Sequence, residues 1–252
     1  MFQDLLPATL FAVLLVFVRI GAAMSTLPGF GEAYVTPRAR LILAMAVALL
    51  VTPLVQDTLP GEPDQVSVLL ALLAGELFIG LFIGTLARVF MSALVTGGMV
   101  MAYMSTMANA LVNDPASQQQ GSIIGAFLNI SALVAIFGLN LHHVMLAAVV
   151  DSYVVFPAGV APPVGDFAQL MSQTVARSFL VAMKLAAPFV VAGLVLYLGI
   201  GLLSRLMPQV QIFFAAMPLQ IMKGLWLLMI SLPVIIAYFT GQFADIFSIF
   251  QR

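Results

Sequence analysis

The sequence predicts a polytopic helical membrane protein with a middle segment that turns back inside the protein, and three observations carry that prediction. The chain of 252 residues is 63% hydrophobic and 8% charged at a mean hydropathy of +1.15, far above the roughly 45–50% apolar share of a soluble domain. Its apolar residues gather into runs of helix length. Residues 99–122, MVMAYMSTMANALVNDPASQQQGS, break the pattern with Asn109, Asn113, Asp114, Pro115 and Gln118 to Gln120.

Composition also excludes classes of partner and chemistry. A net charge of -1 without a basic run gives no footprint for nucleic acid, because phosphate binding needs clustered Lys and Arg. The absence of cysteine removes disulfides, thiolate metal sites and thiol catalysis.

The first apolar run, residues 5–24, carries Arg19 near its end, where the long stem lets the charge snorkel to the interface. Asp4 stands where a cleavable signal would place positive charge. The turn Leu27-Pro28-Gly29-Phe30-Gly31 leads to Thr36-Pro37-Arg38-Ala39-Arg40, and Pro37 suits the first turn of a helix over 41–56. Asp57, Pro60, Gly61, Glu62, Pro63 and Asp64 form an acidic loop. A third span covers 66–87 and ends at Arg88, with Glu76 near its middle. An intramembrane carboxylate is expensive, so Glu76 reads as a proton site, an ion-pair partner, or a carboxylate buried against another subunit and satisfied by hydrogen bonds. Gly80 and Gly84, spaced G-x-x-x-G with Gly75 nearby, strip one helical face for close contact.

Residues 123–150 are apolar again but hold Asn129, Asn140, His142 and His143. Adjacent histidines point about 100° apart on a helix, so they form no i, i+4 metal pair, and no metal site is expected. Pro157, Gly159, Pro162, Pro163 and Gly165 mark a loop. Residues 166–184 read as an amphipathic helix feeding a span over 185–203, in which Pro188 predicts a kink. A polar connector over 204–211, with Arg205, Pro208 and Gln209, leads to a last run over 219–239, where Pro233 predicts another.

Charge placement orients the chain. Arg19, Arg38, Arg40, Arg88 and Arg205 mark a cytoplasmic side, and Asp57, Glu62, Asp64, Asp151 and Asp166 the other. Between Arg88 and Asp151 the chain then crosses an odd number of times, although apolar runs flank the middle stretch on both sides. A single net crossing requires one of them to be re-entrant or to pair back as a hairpin. Non-helical backbone at that depth is tolerated only when buried in protein or lining a wet cavity, so residues 104–121 are expected to face a pore. No phosphate cradle, nucleophile elbow or H-E-x-x-H is present, and no enzyme is expected.

Several motifs recur in one order along the chain: Arg19-Ile20-Gly21, Pro28-Gly29-Phe30-Gly31, Pro37-Arg38-Ala39-Arg40, Asp114-Pro115-Ala116-Ser117, Asn140-Leu141-His142, Asp151-Ser152-Tyr153 with Pro157 and Gly159, Gly201 with Arg205, Pro208-Gln209, Phe213 and Pro218. Their ordered sum resembles the FliR family of flagellar export-gate proteins and their injectisome relatives. Leu141 departs from the glycine usual before the histidine, and Gln211 from Asn or Ser.

The resemblance implies an all-α fold of polytopic hydrophobic helical hairpins with a re-entrant central loop, one domain over 1–252 with a FliP-like part over 1–165 and a FliQ-like part over 166–252. It implies a non-enzymatic subunit without cofactor, joined to FliP-like and FliQ-like chains in a helical pore assembly. FlhB-like and FlhA-like export components and exported flagellar proteins are the further partners, with membrane lipid around the complex. The setting implied is the bacterial inner membrane at the flagellar basal body. In the family the middle loop plugs the closed gate, which here corresponds to residues 106–121. Met104 and Met107 are unbranched and polarizable and suit a reusable seal, or else are core filler at a helix end. Asn109, Asn113 and Gln118 can exchange hydrogen bonds with pore neighbours or water, Asp114-Pro115 favours a turn, and Gly121 with Gly125 permits close packing of the returning helix. The competing reading is a small secondary transporter with a midplane ion site formed by Glu76, Arg88 and the broken middle segment.

Overall fold

The computed structural model describes residues 2–107, 122–160, 162–207, 212–247 and 250, with side chains from Thr9 onward save those of Phe213 and Ala215. Every regular element among them is helical: α1 Phe2–Thr26, α2 Pro37–Val55, α3 Val66–Met104, α4 Ile123–Gly138, α5 Leu141–Val155, α6 Val164–Leu206 and α7 Ile212–Phe247. A short 3-10 turn, Gln56–Thr58, follows α2. Five of the described helices are long and apolar enough to cross a membrane, or six if the bent pair α4 and α5 counts as one span. The chain divides into two compact units, one of Met1–Phe90, Ile136–Thr174 and Phe243–Arg252, the other of Met91–Ala135 and Val175–Gln242.

In the first unit, α1 and α2 pack as a hairpin and α5 touches both. The turn between α1 and α2 needs Gly29, whose φ of 86° lies where side chains are disfavoured. Arg40 pins that turn, donating from Nε to the Phe30 carbonyl at 2.8 Å and from Nη2 to the Glu32 carbonyl at 3.0 Å. Thr36 caps α2 by accepting from the Ala39 N–H, with Pro37 at the first helical position as predicted. Leu15, Val16, Ile20, Ala23 and Met24 of α1 are buried, as are Ala44, Ala48 and Val51 of α2. Phe167 stacks on Phe82 with ring centroids 4.0 Å apart and meets Phe156 edge-on at 4.8 Å, an aromatic cluster that seats the start of α6.

The apolar run 123–150 is two helices, not one: α4 and α5 meet at a 75° bend. Asn140 makes the corner at φ 58°, a left-handed conformation that Asn tolerates better than most side chains. The loop read from Pro157 to Gly165 closes one helix start earlier, since α6 begins at Val164.

In the second unit the distal part of α3 packs against α4 and α6 through Gly97 and Gly98. A Cβ on Gly97 would lie 3.0 Å from the Ala182 carbonyl of α6, and one on Gly98 would run into Gly125 of α4. Arg177 of α6 donates to Gln242 of α7 at 3.1 Å, and Lys184 reaches the Tyr238 hydroxyl at 3.4 Å.

Three helices outrun their predicted spans. α3 continues past Arg88 to Met104, residues 166–203 form one helix instead of two, and the last run extends from 219–239 to 212–247. Hydropathy marks apolar composition, whereas a helix is a backbone state that passes through an exposed Arg88 or an internal Pro188 without ending. At 1.5 Å per residue, the 39, 43 and 36 residues of α3, α6 and α7 give lengths of about 58, 64 and 54 Å. A hydrocarbon core is about 30 Å thick, so each helix overreaches it. Arg88 therefore stands inside a helix and does not mark the end of a crossing, which removes one premise of the charge-parity argument.

Candidate functional site

The residues flanking 108–121 are held in the second unit, and the two ends are held differently. At the first end, α3 closes on Met101, Ala102, Tyr103 and Met104, and Ser105 and Thr106 turn away from it. Ser105 is buried, and its hydroxyl donates to the Met101 carbonyl at 2.7 Å. Thr106 takes a φ of 56°, unusual for a β-branched residue. Two glycines receive this turn. A Cβ on Gly193 of α6 would lie 3.0 Å from the Met104 sulfur, and a Cβ on Gly224 of α7 would lie 2.6 Å from the Ser105 Cβ. Lys223 Nζ donates to the Met104 carbonyl at 3.4 Å.

At the second end, Ser122 donates from its hydroxyl to the Gly98 carbonyl at 3.1 Å and accepts from the Gly125 N–H at 3.4 Å, capping α4. The Gly98 and Gly125 backbones touch beside it, so α3 and α4 form a tight seam. Neither bond draws on α6 or α7.

A second constellation lies in the first unit. Arg19 is 0% and Glu76 2% exposed. Their pairing is bidentate, Nε to Oε2 at 2.6 Å and Nη2 to Oε1 at 2.9 Å. Arg19 also donates from Nη1 to Ser152 Oγ at 3.1 Å and from Nη2 to the Phe156 carbonyl at 3.0 Å, and its guanidinium lies 3.7 Å over the Tyr153 ring. The fork geometry of arginine suits this multiple pairing. One side chain of α1 thus ties α3 to both ends of the α5 exit. This corrects the reading of Arg19 as a snorkelling anchor: its charge is carried inward to Glu76, and Glu76 is the ion-pair partner among its three readings.

The other expected residues are placed differently from one another. Gly80 and Gly84 do pack closely, but against α1 of the same chain: a Cβ on Gly80 would meet the Arg19 carbonyl and Ala22, and one on Gly84 would lie 2.7 Å from the Ala23 carbonyl. Gly75 has open space beside it and takes no part. Arg88 is exposed on α3, and Arg205 lies in the last turn of α6, where a cation complements unpaired carbonyls. Met104 and Met107 are half-buried at the α3 exit. Asn109, Asn113, Asp114, Pro115, Gln118, Gly121, Pro208 and Gln209 lie outside the described residues. Sequence reasoning missed Lys223, Ser105, Gly193 and Gly224. Lys223 carried a signal, being the one charged residue between 212 and 244.

Chemically, the described residues offer anchoring and packing. They contain no group of three or more His, Asp or Glu placed to hold a metal ion. Glu76 borders a groove of about 490 Å³ with Leu72, Gly75 and Gly159, but both of its oxygens are engaged by Arg19. Arg88 stands twelve residues along the same helix, about 18 Å away, so the ion site required by a transporter is not brought together.

Residues 10–246 match the model of the family described as bacterial export proteins, family 1. The chain is 39% identical over 236 residues to the flagellar biosynthetic protein FliR of Caulobacter vibrioides, covering 94% of each. It is 29% identical to the FliR of Bacillus subtilis over 96% of this chain and 92% of that one. It is also 28% identical over 180 residues to the Yop proteins translocation protein T of Yersinia pestis, covering 71% of this chain and 69% of the relative.

Proposed function

We infer, from the premise that this chain belongs to the bacterial export proteins of family 1, that it is a core subunit of the flagellar type III protein export gate. The observation that carries this is likeness along the whole chain: 39% identity to a FliR covers 94% of both sequences. The flagellar relatives also match a larger share of the chain than the Yersinia translocation protein does, which favours flagellar over injectisome duty. The subunit acts without catalysis, contributing helices and a closing segment to a pore through which flagellar proteins pass.

Its partners in this reading are FliP-like and FliQ-like subunits in the pore, with FlhA-like and FlhB-like export components beside it, in the inner membrane at the basal body. Residues 1–165 would serve as its FliP-like part and 166–252 as its FliQ-like part. The many exposed apolar side chains of α6 and α7, such as Leu198, Leu202, Met222 and Trp226, fit a chain covered by lipid and neighbouring subunits. The lengths of α3, α6 and α7 fit an assembly that stands partly clear of the lipid.

Within the gate, residues 106–121 are the plug. Support comes from the frame on either side, which fixes Ser105 and Ser122 while the intervening sequence is polar and Met-containing. Deletion of residues 109–119 is expected to leave the complex assembled and to make the membrane leaky to small ions. Co-purification of FliP-like and FliQ-like subunits reports assembly, and conductance reports closure. Unchanged conductance in the assembled deletion complex would overturn the plug assignment, and a stable monomer stabilised by a small solute would overturn the gate reading as a whole.

A further inference from the structure

We propose that Lys223 is a positioning residue for the exit of α3: from α7 it holds the last carbonyl of that helix, and with Gly193 and Gly224 it couples the path of the chain beyond Met104 to α6 and α7. The consequence for gating rests on the plug reading above, whereas the clasp itself stands on described residues.

A helix ends with four carbonyls that lack intrahelical partners. In α3 three of them are met locally. The Met101 carbonyl accepts the Ser105 N–H at 3.1 Å and its hydroxyl at 2.7 Å, the Ala102 carbonyl accepts the Ser105 N–H at 3.3 Å, and the Tyr103 carbonyl accepts the Thr106 N–H at 3.3 Å. The fourth, on Met104, accepts Lys223 Nζ. α3 has no basic residue in its own last turn, so the cation that complements its carbonyl end comes from α7.

Packing acts on the same three residues. Ser105 sits against Gly224 at a distance that leaves no room for a methyl group, and Met104 sits against Gly193 closely enough that an added methyl would have to push its sulfur aside. The left-handed Thr106 persists only where its surroundings over-determine it. A lysine in a mostly apolar helix, with no other charged residue before Asp245, is costly, and holding this exit gives it a reason to be there. Ser122, by contrast, bonds to the Gly98 carbonyl, between α4 and α3. A shift of α7 against α3 therefore acts directly on Met104 and Ser105, whereas the bonds of Ser122 run between α3 and α4.

The chain has no cysteine, so a single Thr106→Cys serves as a reporter. In the complex assembled with its natural partners in native membranes, the rate of modification by a small water-soluble maleimide is compared for this variant alone, with Lys223→Met and with Lys223→Arg. Lys223→Met is expected to raise the rate roughly tenfold, the scale of a cation at a helix C-terminus, and Lys223→Arg to restore it. An unchanged rate in assembled Lys223→Met overturns the clasp. A raised rate with unchanged ion conductance keeps the clasp and overturns the plug reading. If Lys223→Met does not accumulate, Gly224→Ala replaces it: the rate should rise and then fall back when Ser105→Gly relieves the clash, and no rise overturns the proposal.

Discussion

Replacing Glu76 with glutamine keeps its volume and removes the charge opposite Arg19. The guanidinium would retain Ser152, the Phe156 carbonyl and the Tyr153 ring, but its bidentate carboxylate would be gone. Breaking a buried pair from one side costs about 3–5 kcal/mol, because a cation is left uncompensated away from water. At about 2–4 °C per kcal/mol for a chain of this size, the melting temperature should fall by roughly 6–20 °C. Arg19→Met with Glu76→Leu removes both charges, and such replacements are about neutral or stabilising by 1–4 kcal/mol. Fluorescence-detected thermal unfolding of the purified export complex, with membrane accumulation as a second readout, compares the three proteins. If Glu76→Gln moves the midpoint by less than about 2 °C, or if the double variant is as unstable as the single one, the pair is not the tie between α1 and α3. A snorkelling Arg19 would give the first of these outcomes.

Two further substitutions test the packing. Gly80→Leu should separate α1 from α3, since even one added carbon meets backbone at Arg19; overpacking costs about 1–3 kcal/mol, and loss of thermal stability with reduced recovery of complex is the expected result. Asn140→Gly should preserve the corner between α4 and α5, whereas Asn140→Val should cost about 1–2 kcal/mol through its left-handed φ, read as a lower melting temperature.

Much of the fold was legible because its causes are local. Pro37 with Thr36 before it, and Gly29 in the preceding turn, act through their own backbone geometry, and the elements begin and bend there accordingly. Helix ends were less legible. Arg88 and the Gly97-Gly98 pair look like punctuation in a hydropathy profile, but α3 continues through them, because one polar or flexible residue costs a helix little when the flanking turns are packed. The spacing of Gly80 and Gly84 makes a stripped face legible in the sequence, but not that α1 lies against it.

By itself the sequence determined that this is a membrane-class chain of long apolar helices, with a polar middle and the ordered motifs of an export-gate family. Composition, periodicity and motif order are properties of the chain and survive without coordinates. Only the tertiary structure decided which charges meet. Arg19 finds Glu76 across 57 residues and Lys223 finds Met104 across 119, and such pairings depend on where helices pack in space. The physical reason is the cost of a charge without water: each of these side chains needs a partner, but the sequence states only the need, and the packing supplies the group that meets it.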